Sequence, residues 1–467
     1  MRTEKQMRNH QTEDIICAIS SPPGVGAIAL IRLSGAGSVN LVNQVFTKDI
    51  KAAKGYSVHF GNIMKQDQPL DEVVVTIFRN PHSFTGEESV EIACHGSVFI
   101  QQELLSLLMA HGSRMAEPGE FSKRAFYNGK MDLTQTEAIA DLIHSESEGA
   151  HRLAMQQMKG GISKELGSLR DELIKFAALV ELELDFAEED IEFADRGELI
   201  ALVKSVLLKV NKLRDSFQFG SAIKEGVNVA IVGKPNAGKS SWLNALSDDD
   251  VAIVSDIAGT TRDKIEVPLI LAGTKFRFID TAGLRETLDV IEGMGVERAK
   301  DVITKAEIVI YMFDIAEISQ TYLDDAIKYV KNLNNTAEIL LLANKVDTST
   351  QSLGAYGHEY SHFANLYFVS AKDPESVEFV KKEIVRLFNQ NKVSSNDIVV
   401  TNARHFEALR NASIDLEKSL QGLENQLSGD FVAMDIRQVI HHLGSITGEI
   451  TQDNLLGHIF KNFCIGK

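Results

Sequence analysis

The 467-residue sequence predicts a multidomain chain of α/β and α class: an N-terminal α+β domain, a central helical domain, and an α/β domain inserted into the helical one. Three observations predict it. From Asp14 to about Lys130, short β-rich runs (Ile15–Ile19, Ala27–Leu33, Glu72–Phe78, Ser89–Ala93) alternate with Gly, Pro and Ser punctuation, and Val98–Met109 is helical in pattern. From Leu133 to Phe219 the chain carries no proline and repeats its apolar residues at helical spacing. Between Gly226 and about Phe388, apolar runs at Val227–Val232, Lys264–Leu271, Lys275–Ile279, Ile308–Phe313, Glu338–Ala343 and Leu366–Val369 alternate with helical stretches, an α/β signature. From Asn402 onward the pattern is helical again. The expected domains are therefore 1–130 (1–10 a disordered extension), 131–220, 221–388 inserted, and 389–467. Helical and α/β domains in simple series would read the same way.

Hydrophobic residues make up 44% of the chain and charged residues 24%, values of an ordinary globular protein, which excludes wholesale disorder. No apolar run approaches the roughly 18 to 20 residues of a membrane helix, and Met1–Glu13 has no secretory-signal character. Cys17, Cys94 and Cys464 are too far apart for a CxxC pair, so a reducing cytoplasm is the expected compartment, with no membrane association. Lys and Arg number 48 against 65 Asp and Glu, a net charge of −17 that disfavours non-specific coating of nucleic acid but leaves room for one basic patch, or for RNA held mainly by a partner. Asp171–Arg196 holds ten acids and two bases and reads as a solvated helix face; the alternative is an acidic docking surface.

Gly233-Lys-Pro-Asn236-Ala237-Gly238-Lys239-Ser240, followed by Ser241, matches GxxxxGK[ST] between an apolar strand and a helix. Its glycines let backbone N–H groups curl around phosphates, Lys239 offsets their charge, and the Ser240 hydroxyl is a Mg²⁺ ligand. Four further elements follow in order. The loop Ser255-Asp256-Ile257-Ala258-Gly259-Thr260-Thr261 offers a second Mg²⁺ ligand, assigned to Thr261. Asp280-Thr281-Ala282-Gly283 closes a strand, with a carboxylate for the metal and a glycine amide for the γ-phosphate. Asn344-Lys345-Val-Asp347 is the guanine-reading NKxD pattern, and Ser370-Ala371-Lys372 supports the base from the last loop. Asp accepts from the N1–H and exocyclic amine of guanine, a donor pair that adenine lacks. Five such elements in order on the right strands imply a Ras-like P-loop GTPase domain that binds GTP with Mg²⁺.

Many small GTPases place a water-orienting Gln after the DxxG element. Here that position is Leu284, so water activation and transition-state charge must be handled elsewhere. Arg285, Glu286, Asp289 and Glu292 follow, most of them readable as solvated charges.

With these motifs placed, the chain closely resembles the MnmE (TrmE) family of tRNA-modification GTPases from about Asp14 to Lys467. The resemblance rests on Ile31-Arg-Leu-Ser-Gly35, Ser83-Phe-Thr-Gly-Glu87, Cys94-His-Gly96, Glu117-Pro-Gly-Glu-Phe-Ser-Lys-Arg-Ala-Phe126, Asp280-Thr-Ala-Gly-Leu-Arg285 and the terminal Phe463-Cys-Ile-Gly-Lys467. It implies an N-terminal domain that binds a tetrahydrofolate (5,10-methylene or 5-formyl) and forms a homodimer. It also implies a flavoprotein partner, MnmG (GidA), carrying FAD and using NADH, in a heterotetramer or larger complex. The pair would modify tRNA at C5 of the wobble uridine, adding an aminomethyl or carboxymethylaminomethyl group.

Arg32, Glu91, Lys130 and Lys467 match folate-contacting positions of the family. Lys467 has to come from the other end of the chain, so the C-terminus is expected to dock on the N-terminal domain. Glu292 matches the acid that positions water, Arg285 an arginine of the second switch, and Cys464 a terminal cysteine near the folate site, which by composition alone reads as a small buried hydrophobe. By the same resemblance a K⁺ ion stands in the place of an arginine finger, held by Asn236, Ser255, Ile257 and Thr260. The loop closes over it when two G domains meet. His95 beside Cys94 lacks further metal ligands and reads as structural or folate-adjacent. The sequence departs from the family pattern at Ser255, where Thr is common, and at Trp242, where Leu is usual. The competing reading is a GTP-dependent ribosome-assembly factor or regulatory switch, a class for which a folate pocket has no use.

Overall fold

The computed structural model describes residues 14–185, 196–247, 266–280, 292–317, 319–348, 356, 358–390, 398–450, 453–461, 463, 465 and 466. They fall into two compact units, one of 1–143, 157–203 and 414–467, the other of 144–156 and 204–413.

The first unit is built on a six-stranded sheet of order β3-β4-β5-β2-β1-β6. Its strands are β1 (Ile15–Ile19), β2 (Ile28–Ser34), β3 (Ser57–Lys65), β4 (Gln68–Phe78), β5 (Ser89–His95) and β6 (Ser113–Met115). All pairings are antiparallel except β1 with β6. One face is apolar at alternate positions: Ile31, Leu33, Val75, Ile77, Val90 and Ile92 pack under α1 (Ser38–Val45) and α2 (Val98–Ala110) through Val39, Val42, Leu104 and Leu108. On the other face the register sets Val58, Thr76, Glu91 and Arg32 side by side. That row places a charged pair next to an apolar stripe.

In chain order the helices that follow are α3 (Glu120–Tyr127), α4 (Leu133–Ile143), α5 (Glu148–Met158, to residue 156 part of the second unit), α6 (Gly161–Asp185) and α7 (Arg196–Asp215, from residue 204 part of the second unit). Beyond residue 398 the helices continue with α13 (Ala403–Glu424), whose residues to 413 belong to the second unit, then α14 (Gly429–Thr447) and α15 (Asp453–Phe460). Within the first unit α14 lies along α6. Leu456 and Phe460 of α15 share a core with Phe126 and Leu133, which fixes the last helix beside the N-terminal sheet.

The second unit holds a sheet of order β12-β11-β10-β7-β9-β8, parallel apart from the β8–β9 hairpin. In chain order these are α8 (Phe217–Glu225), β7 (Val227–Gly233), α9 (Lys239–Ser247), β8 (Glu266–Leu271), β9 (Thr274–Asp280), α10 (Glu292–Lys305), β10 (Ile308–Asp314), α11 (Gln320–Leu333), β11 (Glu338–Asn344), β12 (Leu366–Phe368) and α12 (Pro374–Gln390). The buried strands read as continuous apolar runs because helices cover both faces. Core residues Val229, Ile231 and Trp242 lie on one side, Ala230, Val232 and Val309 on the other. Among the described residues no helix is long and apolar enough to cross a membrane.

Candidate functional site

In the second unit the motif residues gather at the carboxyl edge of the parallel sheet. β7 ends at Gly233, β9 at Asp280, β10 at Asp314 and β11 at Asn344. Strand order reverses at β7, between β9 on one side and β10 on the other, so the phosphate loop occupies the crevice where open α/β sheets bind ligands. It opens directly into α9, whose N-terminal amides favour an anion.

Lys239, largely buried, donates from Nζ to the carbonyls of Gly233 and Lys234 at 2.8 Å each, so the loop holds its own cation curled inside it. Gly238 has φ +98, and a Cβ there would lie 2.2 Å from Nδ2 of Asn344. Only glycine lets the phosphate loop approach the base-reading loop so closely. Asn344, itself buried, donates from Nδ2 to the Ala237 carbonyl at 2.8 Å, and its Oδ1 accepts from the indole Nε1 of Trp242 at 2.9 Å. Ser240 and Ser241 begin α9, both exposed.

Lys345 adopts φ +68 and donates from Nζ to Asp314 Oδ2 at 2.8 Å. Burial raises the Asp314 carboxyl, but the Lys345 hydrogen bond, the Ala316 backbone N–H and the Lys345 charge together outweigh it and hold the group below its ordinary value. The Asp347 carboxylate is held at both ends: Oδ2 accepts from Lys372 Nζ and Oδ1 from Ser370 Oγ, each at 2.9 Å. Those two bonds, the Lys372 one foremost, keep its carboxyl below the usual range, hence ionised as an acceptor. Ser370 is buried and also accepts from the backbone N–H of Lys372, while Ala371 links the two. Asn236 takes the left-handed conformation, φ +64, with its side chain exposed at the loop's rim. The remaining expected nucleotide residues (Ser255, Asp256, Ile257, Ala258, Gly259, Thr260, Thr261, Thr281, Ala282, Gly283) and Arg285 lie outside the described residues, as do the side chains of Asp280 and Glu292.

A second constellation sits in the first unit. Arg32 and Glu91 are register partners on β2 and β5. Nε and Nη2 of Arg32 both donate to Glu91 Oε1, at 2.9 and 2.7 Å. The guanidinium lies 5.4 Å from the ring centroid of Phe84 and 5.8 Å from that of Phe121. The end of the chain reaches this place. The Gly466 carbonyl accepts from Ser20 Oγ at 3.1 Å and Arg32 Nη1 at 3.5 Å. Gly466 has φ +97, and a Cβ would stand 2.3 Å from the Ile19 carbonyl oxygen. Lys130 is directed elsewhere, donating to the Pro81 carbonyl at 3.0 Å, where it braces the loop that carries Phe84. Cys464 and Lys467 lie outside the described residues. Among the described residues no group of three or more His, Cys, Asp or Glu side chains is arranged to hold a metal ion.

Motif reading missed Asp314, Trp242 as a partner of Asn344, and Ser20 beside Arg32, and it gave no role to Phe84 and Phe121 within the segments Ser83–Glu87 and Glu117–Phe126. No spacing along the chain signals these contacts, because the partners of each pair are distant in sequence. A family model described as "GTP-binding protein TrmE N-terminus" matches residues 15–130, and one described as "MnmE helical domain" matches 133–464. A protein of Flavobacterium johnsoniae named "tRNA modification GTPase MnmE" is 47% identical over 97% of this chain and 99% of its own length. One of the same name from Cytophaga hutchinsonii is 48% identical over 97% of this chain and 98% of its own. With both family models matched end to end and relatives of such identity aligned over nearly their whole length, this chain belongs to the MnmE (TrmE) family.

Proposed function

We propose that the chain is a GTPase of tRNA modification that, together with the flavoprotein MnmG (GidA), alters C5 of the wobble uridine of certain tRNAs, using a one-carbon unit carried by tetrahydrofolate. GTP hydrolysis belongs to the second unit and the folate to the first. The expected four-part division at residues 130, 220 and 388 is the domain plan that goes with this reading, and the compartment is the cytoplasm. The catalytic assignments are Glu292 for the attacking water and Arg285 for the switch; Cys464 belongs with the folate pocket. Mg²⁺ would be held by Ser240 and Thr261, where it supplies charge against the phosphates. FAD and NADH act on the partner protein.

The observation that carries the folate half of the reading is Arg32 near two aromatic rings, Phe84 and Phe121, and bonded to Glu91, with the chain's own C-terminal segment laid against it. Nε and Nη2 of Arg32 converge on one oxygen, Oε1, so Glu91 retains Oε2 to accept from a pterin's N–H edge. By the family resemblance Lys130 and Lys467 would supply the cations for a glutamate tail, Lys130 by leaving the Pro81 carbonyl to which it donates. An assembly factor has no use for such a pocket. In calorimetry with 5-formyl-tetrahydrofolate, Arg32→Ala and Glu91→Ala should each weaken binding by about tenfold or more, as loss of a charged hydrogen-bond partner does. Unaltered binding in both variants would rule the pocket out.

Homodimerisation follows from the same face of the sheet. Val58 and Phe60 on edge strand β3 and Val74 on β4 are exposed, Phe60 by 56%; Val58 ends the row that holds Arg32 and Glu91, and Phe60 pairs with Val74 in the next row of that face. A contiguous exposed apolar stripe on a sheet edge is an association surface. A two-fold dimer would bring the two pockets together. Light scattering should give twice the 51.5 kDa chain mass for the native protein and a mass falling towards one chain for Phe60→Asp. A Phe60→Asp protein that stays fully dimeric at micromolar concentration would refute this face.

A further inference from the structure

The side chains of Trp242, Asn344 and the backbone of Ala237 form a short relay between the phosphate loop and the base-reading loop. Asn344 lies more than 100 residues from the other two members, and all three are almost fully buried: Trp242 is 1% exposed, Asn344 3% and Ala237 2%. An indole N–H only donates, so the atom it meets at 2.9 Å must be the amide oxygen of Asn344. The amide nitrogen then faces the Ala237 carbonyl, to which it donates at 2.8 Å. A flipped amide would set N–H against N–H and carbonyl against carbonyl, two buried mismatches at once. With Oδ1 and one Nδ2 proton committed, a single orientation of Asn344 survives.

We propose that Trp242 is a positioning residue for nucleotide affinity: its indole N–H locks the Asn344 amide and thereby joins the phosphate loop to the base loop before any nucleotide arrives. This rests on reading the second unit's loops as the guanine-nucleotide site. Leucine at this position would fill the core without donating, leaving the amide oxygen unpaired and the Ala237 carbonyl alone to orient the amide. The relay touches neither the γ-phosphate nor Asp347. Its effect therefore falls on GDP and GTP alike, on release rates and KM rather than on kcat, and not on the preference for guanine over adenine.

Because a fully buried indole is hard to truncate without leaving a cavity, the test replaces Trp242 by its benzothiophene isostere, which keeps the shape and removes the donor. Trp242 is the chain's single tryptophan, so biosynthetic replacement acts at one site only. In the full-length protein the isostere should weaken GDP and GTP binding equally, by roughly tenfold, equivalent to about 1.4 kcal/mol, with faster release of a fluorescent GDP analogue and kcat within twofold. In the native protein, the lone indole N–H resonance should move upfield in Asn344→Ala, as a broken hydrogen bond requires. Equal affinities for native and isostere proteins overturn the proposal while leaving the site reading intact, as does a fall in kcat at unchanged affinity. Native protein that fails to bind GDP overturns the site reading and the relay with it.

Discussion

Asp347→Asn is expected to lower affinity for GTP and GDP by about 10³- to 10⁴-fold and to turn the site towards xanthine nucleotides. A site built to hydrogen-bond a polar edge rejects the wrong edge by roughly 10⁴ or more, because its own buried groups are then left unpaired. Asp347 is exposed in this structure and would meet that description once a base covers it. Its two oxygens are fixed by Ser370 and Lys372 at 2.9 Å each, which leaves their remaining lone pairs aimed in a set direction. Guanine offers N1–H and an exocyclic amine to such a pair. An asparagine presents one NH₂ group to that edge, a donor facing a donor, whereas xanthine carries an acceptor in place of the exocyclic amine. Lys372→Ala should cost much less, since its ammonium is 80% exposed and screened by solvent. Since its hydrogen bonds lower the Asp347 pKa, the acceptor persists as pH falls, and GDP affinity should stay flat down to about the ordinary Asp value of ~3.9. Competition binding with GTP, XTP and ATP measures these shifts. Equal GTP affinity in the native and Asp347→Asn proteins would remove Asp347 from base recognition.

The parts of this fold that were legible in sequence are those whose physics is local. β7, β10 and β11 are covered on both faces, so they appear as unbroken apolar runs, and strands were expected within a residue of Val227–Gly233, Ile308–Asp314 and Glu338–Asn344. β3 and β6 were not anticipated. β3 is an edge strand carrying Gly61 and Asn62 at its centre, and β6 has only three residues, so neither shows a clear period of two. The phosphate loop is readable because eight consecutive residues carry its chemistry. The tie of Trp242 to Asn344 joins positions 102 apart, and that of Ser20 to Gly466 joins positions 446 apart. No window along the chain contains both members of either pair. Arg32 and Glu91 became candidates only through resemblance to the family, yet their pairing is a simple consequence of β2 lying antiparallel to β5.

Hydrolysis is expected to run about 10²-fold faster in K⁺ than in Na⁺ at matched ionic strength, and Asn236→Ala should remove the difference while leaving GTP affinity within a few-fold of native. The need arises from what the chain lacks. Leu284 follows the DxxG element where a water-orienting glutamine is common, and it can neither orient water nor offset charge. Charge that grows on the β–γ bridging oxygen must meet a positive group from another source, and one missing electrostatic contact at such a centre costs roughly 10²- to 10³-fold in rate. Among the described members of the expected cation shell, Asn236 fits: it is exposed on the rim of the phosphate loop at φ +64, a conformation asparagine tolerates better than most residues. Among the described residues its side chain has no hydrogen-bond partner, so its amide oxygen is available as a ligand. K⁺ held there, with Ser255, Ile257 and Thr260, would supply a positive charge beside the phosphates. Because those three residues belong to one loop, occupancy would favour that loop's closed form, and two G domains meeting face to face would favour it further. Sedimentation with a GDP–metal fluoride analogue should accordingly report association of G domains in K⁺ but not in Na⁺. If Asn236 only shapes the turn, Asn236→Ala will lower GTP affinity and leave the ratio of K⁺ to Na⁺ rates untouched, and equal native rates in the two salts would end the potassium assignment outright.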